Sequence, residues 1–91
     1  MDLRWLRKEI EKKYGDIDRK SGPLFLLAVL FEEVGELAEV VRKGEREKIE
    51  EELADVLFVL LSLANYFEVS PEEVLVKKYV EGDPSAGWDL P

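Results

Sequence analysis

The chain has 91 residues, of which 46% are hydrophobic and 37% charged, and its formal net charge is −8 at pH 7. This composition predicts one folded, soluble domain, small enough that self-association is a natural way to complete its core. The negative charge argues against nucleic acid or an anionic membrane as partner, unless metal ions intervene. Because cysteine and histidine are absent, disulfides, zinc triads and Ser-His-Asp catalysis are excluded.

The N-terminal sequence MDLRWLRKEI lacks the long apolar core of a signal peptide. The longest apolar run, Leu24 to Phe31, is far shorter than the roughly 20 residues that a bilayer-spanning helix needs. We therefore expect a cytoplasmic protein.

Apolar residues recur at helical spacing near the N-terminus and predict a first helix over residues 2–14, with Gly15 as its stop signal. The following DIDRKSGP is interpreted as a loop. At its end, Ser21 is expected to cap the next helix, and Pro23 suits that helix's first turn.

A second helix is predicted over residues 23–42, ended by Lys43-Gly44, and a third from near Glu45 to about Phe67. The sequence therefore indicates an all-α fold dominated by one long helical hairpin. We expect four helices per chain in a bundle whose core is completed by oligomerisation.

The fourth helix is predicted over residues 71–81, where Ser70 and Glu73 have the spacing of a capping box. Residues 1–82 are predicted to form a single helical domain. Residues 83–91, which contain Trp88, are rich in proline and glycine and predict an irregular tail.

Carboxylates interrupt the apolar stripes of both hairpin helices when these are placed on a helical wheel. The stripe of the second helix consists of Leu26, Val29, Glu33, Glu36 and Val40. The stripe of the third helix consists of Ile49, Glu52, Asp55, Val56, Val59 and Leu63. Other glutamates of the third helix, such as Glu50 and Glu51, fall on different sides and are interpreted as solvent-exposed.

The turn at Gly44 brings these four carboxylates to matched heights. Glu36 and Glu52 lie eight residues before and after Gly44, and Glu33 and Asp55 lie eleven before and after it. At about 1.5 Å of rise per residue, the two pairs lie roughly 12 and 16 Å from the turn. Antiparallel helices joined by so short a connection are neighbours, so the four side chains converge on one patch.

Four negative charges in a half-buried patch need a counter-charge. Arg46 and Lys48 are close enough in sequence to supply part of it, and this alternative stays open. Oxygen ligands without histidine or cysteine suit a hard cation, which predicts a site for Mg²⁺, with Mn²⁺ as the alternative ion.

A carboxylate–magnesium patch on an acidic protein lets it bind a ligand that is still more negative, such as a polyphosphate. The natural chemistry is hydrolysis of a phosphoanhydride. Glu32, one turn before Glu36, is the candidate that accepts the proton of the attacking water, although it could equally be a solvent glutamate.

The motif E-E-x-x-E at residues 32–36 followed by E-x-x-D at residues 52–55 resembles the MazG nucleotide pyrophosphohydrolases, and the similarity covers about residues 23–80. The resemblance implies Mg²⁺-dependent cleavage of a nucleoside triphosphate between the α and β phosphates. It also implies that Glu33, Glu36, Glu52 and Asp55 are the metal ligands. Members of this family are all-α oligomers in which helices of different subunits share a four-helix core.

The apolar segments at residues 24–31 and 56–64 support an oligomer independently, because helices that are apolar nearly all round are buried on every side. One chain of this length cannot cover two such helices. We expect a homodimer or a dimer of dimers.

Residue spacing identifies substrate-binding residues less directly than it identifies the metal ligands. Lys77 and Lys78 resemble a lysine-containing segment that reaches phosphates in relatives, and Arg19, in the predicted loop, could meet phosphates as well. Trp5 could stack on a base, although packing in the core or at an interface is the more common role for such a residue.

Two alternative hypotheses compete with an enzymatic function. The chain could be a non-catalytic helical interaction module whose acidic patch docks a basic partner. Alternatively, the metal patch could serve as a nucleotide sensor or a structural staple without catalysis.

Overall fold

The computed structural model describes residues 1–82, and the all-α fold predicted from the sequence is confirmed within them. The elements are α1 (Leu3–Ser21), α2 (Pro23–Lys43), α3 (Arg46–Phe67) and α4 (Pro71–Leu75), which continues as a π-helical segment (Val76–Glu81). The predicted tail at residues 83–91, including Trp88, lies outside the described residues.

Within residues 1–82, no single helix is long and apolar enough to cross a membrane. By length and composition alone, α3 and the helical residues after it pass such a test together, but the two are bent by 111° at the break between them.

The hairpin of α2 and α3 forms the most extensive helix–helix contact of the fold. Gly44 ends α2 in the left-handed conformation, at φ 70° and ψ 25°. Its N–H donates to the carbonyl oxygen of Val41 at 3.1 Å, and the N–H of Glu45 donates to that of Val40 at 3.1 Å. These bonds use carbonyl groups that the helix end would otherwise leave unpaired, so the chain reverses within two residues.

Gly44→Ala is expected to lower the free energy of unfolding by about 1–2 kcal/mol, because a Cβ atom is disfavoured in the left-handed region. A Cβ at this position would meet no neighbouring atom within 4 Å, so the cost is one of backbone conformation and not of a clash. Chemical denaturation measures it. Gly44→Asn is the matched control and should cost less, since asparagine tolerates this conformation. Equal losses for both variants would contradict the explanation.

The prediction that Gly15 stops the first helix and that DIDRKSGP is a loop is wrong. α1 continues through this segment to Ser21. Gly15 is buried in mid-helix, and a Cβ there would collide with the carboxylate of Glu11. The missing side chain leaves room for Glu11 to lie along the helix and accept a hydrogen bond from Arg19 at 2.6 Å. Glycine is therefore used here for close approach and not as a helix stop.

Gly22 makes the break between α1 and α2, at φ 87° and ψ 165°, a conformation that is open almost only to glycine. Ser21 is the last residue of α1 and does not cap α2, so that prediction is also wrong, whereas Pro23 lies in the first turn of α2 as expected.

α1 packs antiparallel against α3. The rings of Tyr14 and Phe58 meet edge to face, with their centroids 5.0 Å apart. The apolar residues that the fold buries almost completely are Ile10, Leu26, Val59, Leu61 and Ala64. The core of the single chain is therefore small, and α3 contributes most of its residues.

A polar network ties α4 to α1 and α3. The Nη1 atom of Arg7 donates to both carboxylate oxygens of Glu72, at 3.0 and 2.9 Å, and its Nε atom donates to the Oδ1 atom of Asn65 at 2.9 Å. The Nδ2 atom of Asn65 donates back to the carbonyl oxygen of Arg7 at 3.0 Å. The predicted capping box is not formed, because Ser70 makes no side-chain cap bond and only its carbonyl oxygen accepts from the N–H of Glu73.

Arg7→Ala is expected to lower the free energy of unfolding by about 1.5–3 kcal/mol, because its charge-assisted bonds are partly shielded from water. Arginine also lowers the pKa of Glu72, so this stabilisation is present above the ordinary carboxyl pKa and is lost as the pH falls through the lowered one. A double-mutant cycle with Glu72→Ala measures the coupling.

The exposed pair of Lys12 and Glu9, at 3.3 Å, provides the control for that cycle and should show a coupling of only a few tenths of a kcal/mol. A coupling between Arg7 and Glu72 as small as this would show that α4 is not held by the network.

Candidate metal centre

Three carboxylates converge between α2 and α3. Helix α2 supplies Glu33 and Glu36, and α3 supplies Glu52. One carboxylate oxygen from each lies within 4.8 Å of one from each of the others. The arrangement follows from the hairpin, because residues at equal distances from Gly44 lie side by side on antiparallel helices. We call these three residues the carboxylate triad.

In two of the three carboxylates, one oxygen atom is buried without a hydrogen-bond donor. Glu33 and Glu52 are half-buried, whereas Glu36 is exposed. The Oε2 atoms of Glu33 and Glu52 are buried and have no hydrogen-bond partner among the described residues. Buried oxygens without a donor are costly, so each calls for a ligand that supplies positive charge.

Burial and the neighbouring acidic groups raise the pKa of Glu33 from its ordinary value of 4.5 to about 7. Burial is the largest cause, and the neighbouring carboxyl of Glu52 follows. The charges of Glu36, Glu52 and Asp55 add to it. Without a cation, the cluster therefore holds a proton up to near-neutral pH.

The basic residues of the hairpin turn do not neutralise the triad. Lys43 and Arg42 pair with Glu39, at 3.1 and 3.8 Å, and Lys48 pairs with Glu45 at 3.4 Å. Within residues 1–82, no lysine or arginine forms an ion pair with the triad or with Asp55. The alternative that Arg46 and Lys48 supply the counter-charge therefore receives no support.

The triad fits a hard divalent cation by the chemistry of its donors. It presents only carboxylate oxygens, two of them buried without a donor, and one carboxyl whose pKa is raised by burial and by its neighbours. Each feature is relieved by a cation that prefers oxygen ligands, and the triad is arranged so that it could bind such an ion.

The two other acidic residues predicted at the site lie at its edge. Asp55 is exposed and outside the triad, yet its charge contributes to the raised pKa of Glu33. Glu32 is exposed on α2, next to Glu33 in the chain. Both are close enough in sequence to the triad to stay predicted site residues.

The predicted substrate-binding residues are distributed over other parts of the fold. Arg19 is not in a loop, as predicted, but in α1, where it pairs with Glu11 at 2.6 Å and Asp16 at 2.7 Å. Lys77 and Lys78 are exposed on the π-helical segment, and Trp5 is half-exposed near the start of α1. Within residues 1–82, none of these four predicted residues forms a hydrogen bond or ion pair with the triad.

The sequence interpretation missed Arg7, Asn65 and Glu72, which line a cleft of about 920 Å³ between α1, the end of α3 and α4. The cleft contains none of the triad residues. No local signal marked this network, because Arg7 is separated from Asn65 by 58 positions and from Glu72 by 65.

A helical hairpin whose two arms present facing carboxylates is typical of proteins that bind divalent cations, and the comparison with known families identifies the family. Residues 21–86 match the MazG nucleotide pyrophosphohydrolase domain. The chain belongs to this family, whose enzymes are generally nucleotide pyrophosphohydrolases and typically use divalent metals.

A similar protein is the uncharacterised protein YpjD of Bacillus subtilis strain 168. It is 42% identical over 81 residues, and the similarity covers 75% of this chain and 71% of YpjD.

Proposed function

We propose that the chain hydrolyses nucleoside triphosphates between the α and β phosphates in a Mg²⁺-dependent reaction. The products would be a nucleoside monophosphate and pyrophosphate. The observation that carries this proposal is the carboxylate triad, in which buried oxygens lack donors on a chain that belongs to the MazG family.

Glu33, Glu36, Glu52 and Asp55 are the residues that we propose as metal ligands. When bound, Mg²⁺ supplies the positive charge that brings phosphate oxygens to an acidic surface, and it acidifies a neighbouring water. Glu33 and Glu52 are half-buried, so the proposed metal site is partly shielded from bulk solvent. Mn²⁺ is the alternative ion, since it prefers the same ligands.

We propose that Glu32 accepts a proton on a carboxylate oxygen as water attacks the α phosphorus. The bond from that phosphorus to the bridging oxygen breaks, and pyrophosphate leaves. The exposure of Glu32 suits this role, because a general base must meet both water and substrate.

Lys77 and Lys78 are proposed to bind phosphates, and Trp5 to stack on the base. A contact of Arg19 with phosphate would require it to exchange its ion pairs with Glu11 and Asp16. No nucleic acid or membrane is needed as a partner for this reaction, and a cytoplasmic location stays a prediction.

A homodimer or a dimer of dimers is part of the proposal. Large apolar side chains of both hairpin helices remain exposed in the single chain, among them Phe25, Phe31 and Val41 of α2 and Leu53 and Leu57 of α3. Another subunit that packs on these helices would bury them, as a soluble oligomer requires. Light scattering at micromolar concentration should show no stable monomer.

The reaction is tested by incubation with a panel of ribo- and deoxyribonucleoside triphosphates and Mg²⁺, followed by product separation. Monophosphate and pyrophosphate in equal amounts are expected. Diphosphate and orthophosphate would contradict the proposed bond selectivity. Absence of turnover with either Mg²⁺ or Mn²⁺ would favour a nucleotide sensor or an interaction module.

A further inference from the structure

The junction after α3 sets the direction of residues 71–81, which we call the lysine segment because they carry Lys77 and Lys78. α3 ends at Phe67, and the lysine segment leaves at 111° to it. Between the two, Glu68 adopts the left-handed conformation, at φ 54°, which is disfavoured for a residue with a side chain. Such a conformation persists only where surrounding contacts hold it, so the junction depends on the bonds made around it.

Apolar packing does not fix the lysine segment in the single chain. In the part of the chain that the structure describes, none of residues 71–81 is buried. Val74, Leu75 and Val80 are 55%, 56% and 71% exposed. The segment also makes few contacts with the three longer helices. Because little apolar area is removed from water here, polar bonds have to hold the segment in place.

Arg7 supplies these polar bonds. Its Nη1 atom donates to both carboxylate oxygens of Glu72, the second residue of the lysine segment, and its Nε atom donates to the Oδ1 atom of Asn65. Asn65 donates back to the carbonyl oxygen of Arg7, so the guanidinium is anchored on α1 and α3 at once. The side chains of Arg7 and Glu72 are only 14% and 28% exposed, which limits competition from water.

A small rotation at the junction becomes a large displacement at the lysines. Lys78 is seven positions after Pro71, which places it roughly 10 Å along the helix. At that distance, a rotation of the segment by about 20° moves Lys78 by roughly 3–4 Å. This displacement is as long as a hydrogen bond, so the bonds at Glu72 decide which groups the lysines can reach.

We propose that Arg7 is a positioning residue for the proposed reaction. By holding Glu72 against Asn65, it fixes the direction of the lysine segment. It thereby determines where Lys77 and Lys78 present their ammonium groups. This inference rests on the proposed function, in which the two lysines bind phosphates, and adds a residue that acts on the site through another side chain. Its effect is to lower the KM for the nucleotide.

A direct contact between Arg7 and phosphate is the competing explanation, because Arg7 also lines the cleft between α1 and α4. The two explanations predict opposite effects of Glu72→Ala. If Arg7 acts through Glu72, loss of the carboxylate releases the lysine segment and KM rises. If Arg7 binds phosphate itself, loss of the neighbouring negative charge favours that contact and KM falls.

Steady-state kinetics of Arg7→Ala, Glu72→Ala and the double variant test the proposal. Each single variant should raise KM roughly tenfold, since a misplacement of about 1 Å can cost up to about 100-fold. The value of kcat should stay within about twofold of the wild type, because binding alone is weakened. The double variant should be no worse than either single one, since both remove the same bond. An unchanged KM for Arg7→Ala, or a lower KM for Glu72→Ala, overturns the proposal.

A merely structural role of Arg7 has a different kinetic signature. If Arg7→Ala only unfolds part of the molecules, kcat falls with the folded fraction while KM stays constant, and that result also overturns the proposal. Lys12→Ala, a change at an exposed lysine of the same helix that pairs with Glu9, is the matched control. It should leave both constants unchanged.

Hydrogen exchange followed by mass spectrometry is independent of turnover. The labelling time is chosen so that the middle of α3 remains protected in the wild type. In Arg7→Ala, the amides of residues 71–81 should then exchange faster while α3 stays protected, because the segment opens locally. Unchanged exchange of the segment, or lost protection of α3, contradicts the proposal. If the wild type hydrolyses no nucleotide, the proposed function fails, and the exchange rates still decide whether Arg7 fixes the lysine segment.

Discussion

Glu36→Gln is expected to lower kcat for nucleoside triphosphate hydrolysis by at least about 100-fold, because it removes a direct ligand, and even the residues that orient ligands contribute 10–100-fold. The fold should survive, since Glu36 is exposed and forms no ion pair within the described residues. Without metal, the variant should be slightly more stable than the wild type, because one member of a repelling cluster becomes neutral.

Asp55→Asn tests how far the site extends beyond the triad. If Asp55 is a ligand, its replacement should lower kcat as severely as that of Glu36. If Asp55 only contributes charge, kcat should fall little, and the affinity for Mg²⁺ should fall instead. Steady-state rates across a magnesium titration separate the two outcomes, because a weakened ligand set is partly rescued by more metal.

Glu50→Gln and Glu51→Gln are the matched controls on the same helix. Both residues are exposed, and neither belongs to the triad. Each control removes one negative charge within two residues of Glu52, so it reproduces the change in net charge without touching a ligand. Rates within about twofold of the wild type are expected, since surface changes of this kind perturb energies by less than about 0.5 kcal/mol. If these controls lose as much kcat as the variants of the proposed metal ligands, the assignment of the site is wrong.

The hairpin could be predicted from the sequence because its geometry is local. A periodic apolar pattern fixes two helices, Gly44 fixes the reversal, and a constant rise per residue then sets which side chains meet. The structure follows this arithmetic at Glu33, Glu36 and Glu52, which come together within 4.8 Å. The rise per residue gives the height of each residue along its helix but not the direction of its side chain. For that reason the sequence predicted Asp55 together with the other three carboxylates, whereas the structure leaves it outside the triad.

The rest depended on side-chain contacts that residue spacing alone does not reveal. A glycine predicts a helix stop or a site of close approach equally well, and at Gly15 only the position of the Glu11 side chain decides between them. The capping box at Ser70 had the right spacing, but Glu72, the residue before Glu73, is drawn to Arg7 on another helix. The contact at Gly15 lies within α1 itself, whereas Glu72 beside the predicted capping box bonds to a residue distant in sequence.

Magnesium is expected to raise the Tm of the metal-free protein, and by more at about pH 8 than at about pH 5. Free Mg²⁺ at about 100 times its Kd would add about 2.7 kcal/mol to the free energy of unfolding. For a domain of this size, that gain corresponds to about 10 °C or more. Differential scanning calorimetry at fixed protein concentration measures it, since self-association also affects Tm.

The pH dependence follows from Glu33. Its folded pKa of about 7 lies above its ordinary value of 4.5, so between these values the folded chain binds more protons than the unfolded chain. The stability of the metal-free protein should therefore fall as the pH rises through this interval. Metal binding needs the ionised carboxylate, so Mg²⁺ must displace a proton below about pH 7 and meets no such competition above it.

Glu33→Gln separates this explanation from a general effect of salt. The variant lacks the titrating group, so its metal-free Tm should lose most of its decline between those pH values, and Mg²⁺ should raise its Tm far less. Glu51→Gln, which removes an exposed charge of the same helix, should keep both the decline and the response. NaCl at matched ionic strength should not replace Mg²⁺, because screening acts on all exposed charges alike, whereas the triad requires an ion that binds its oxygens directly. If Glu33→Gln responds to magnesium as strongly as the wild type, the ion binds elsewhere, and the buried oxygens of Glu33 and Glu52 need another explanation.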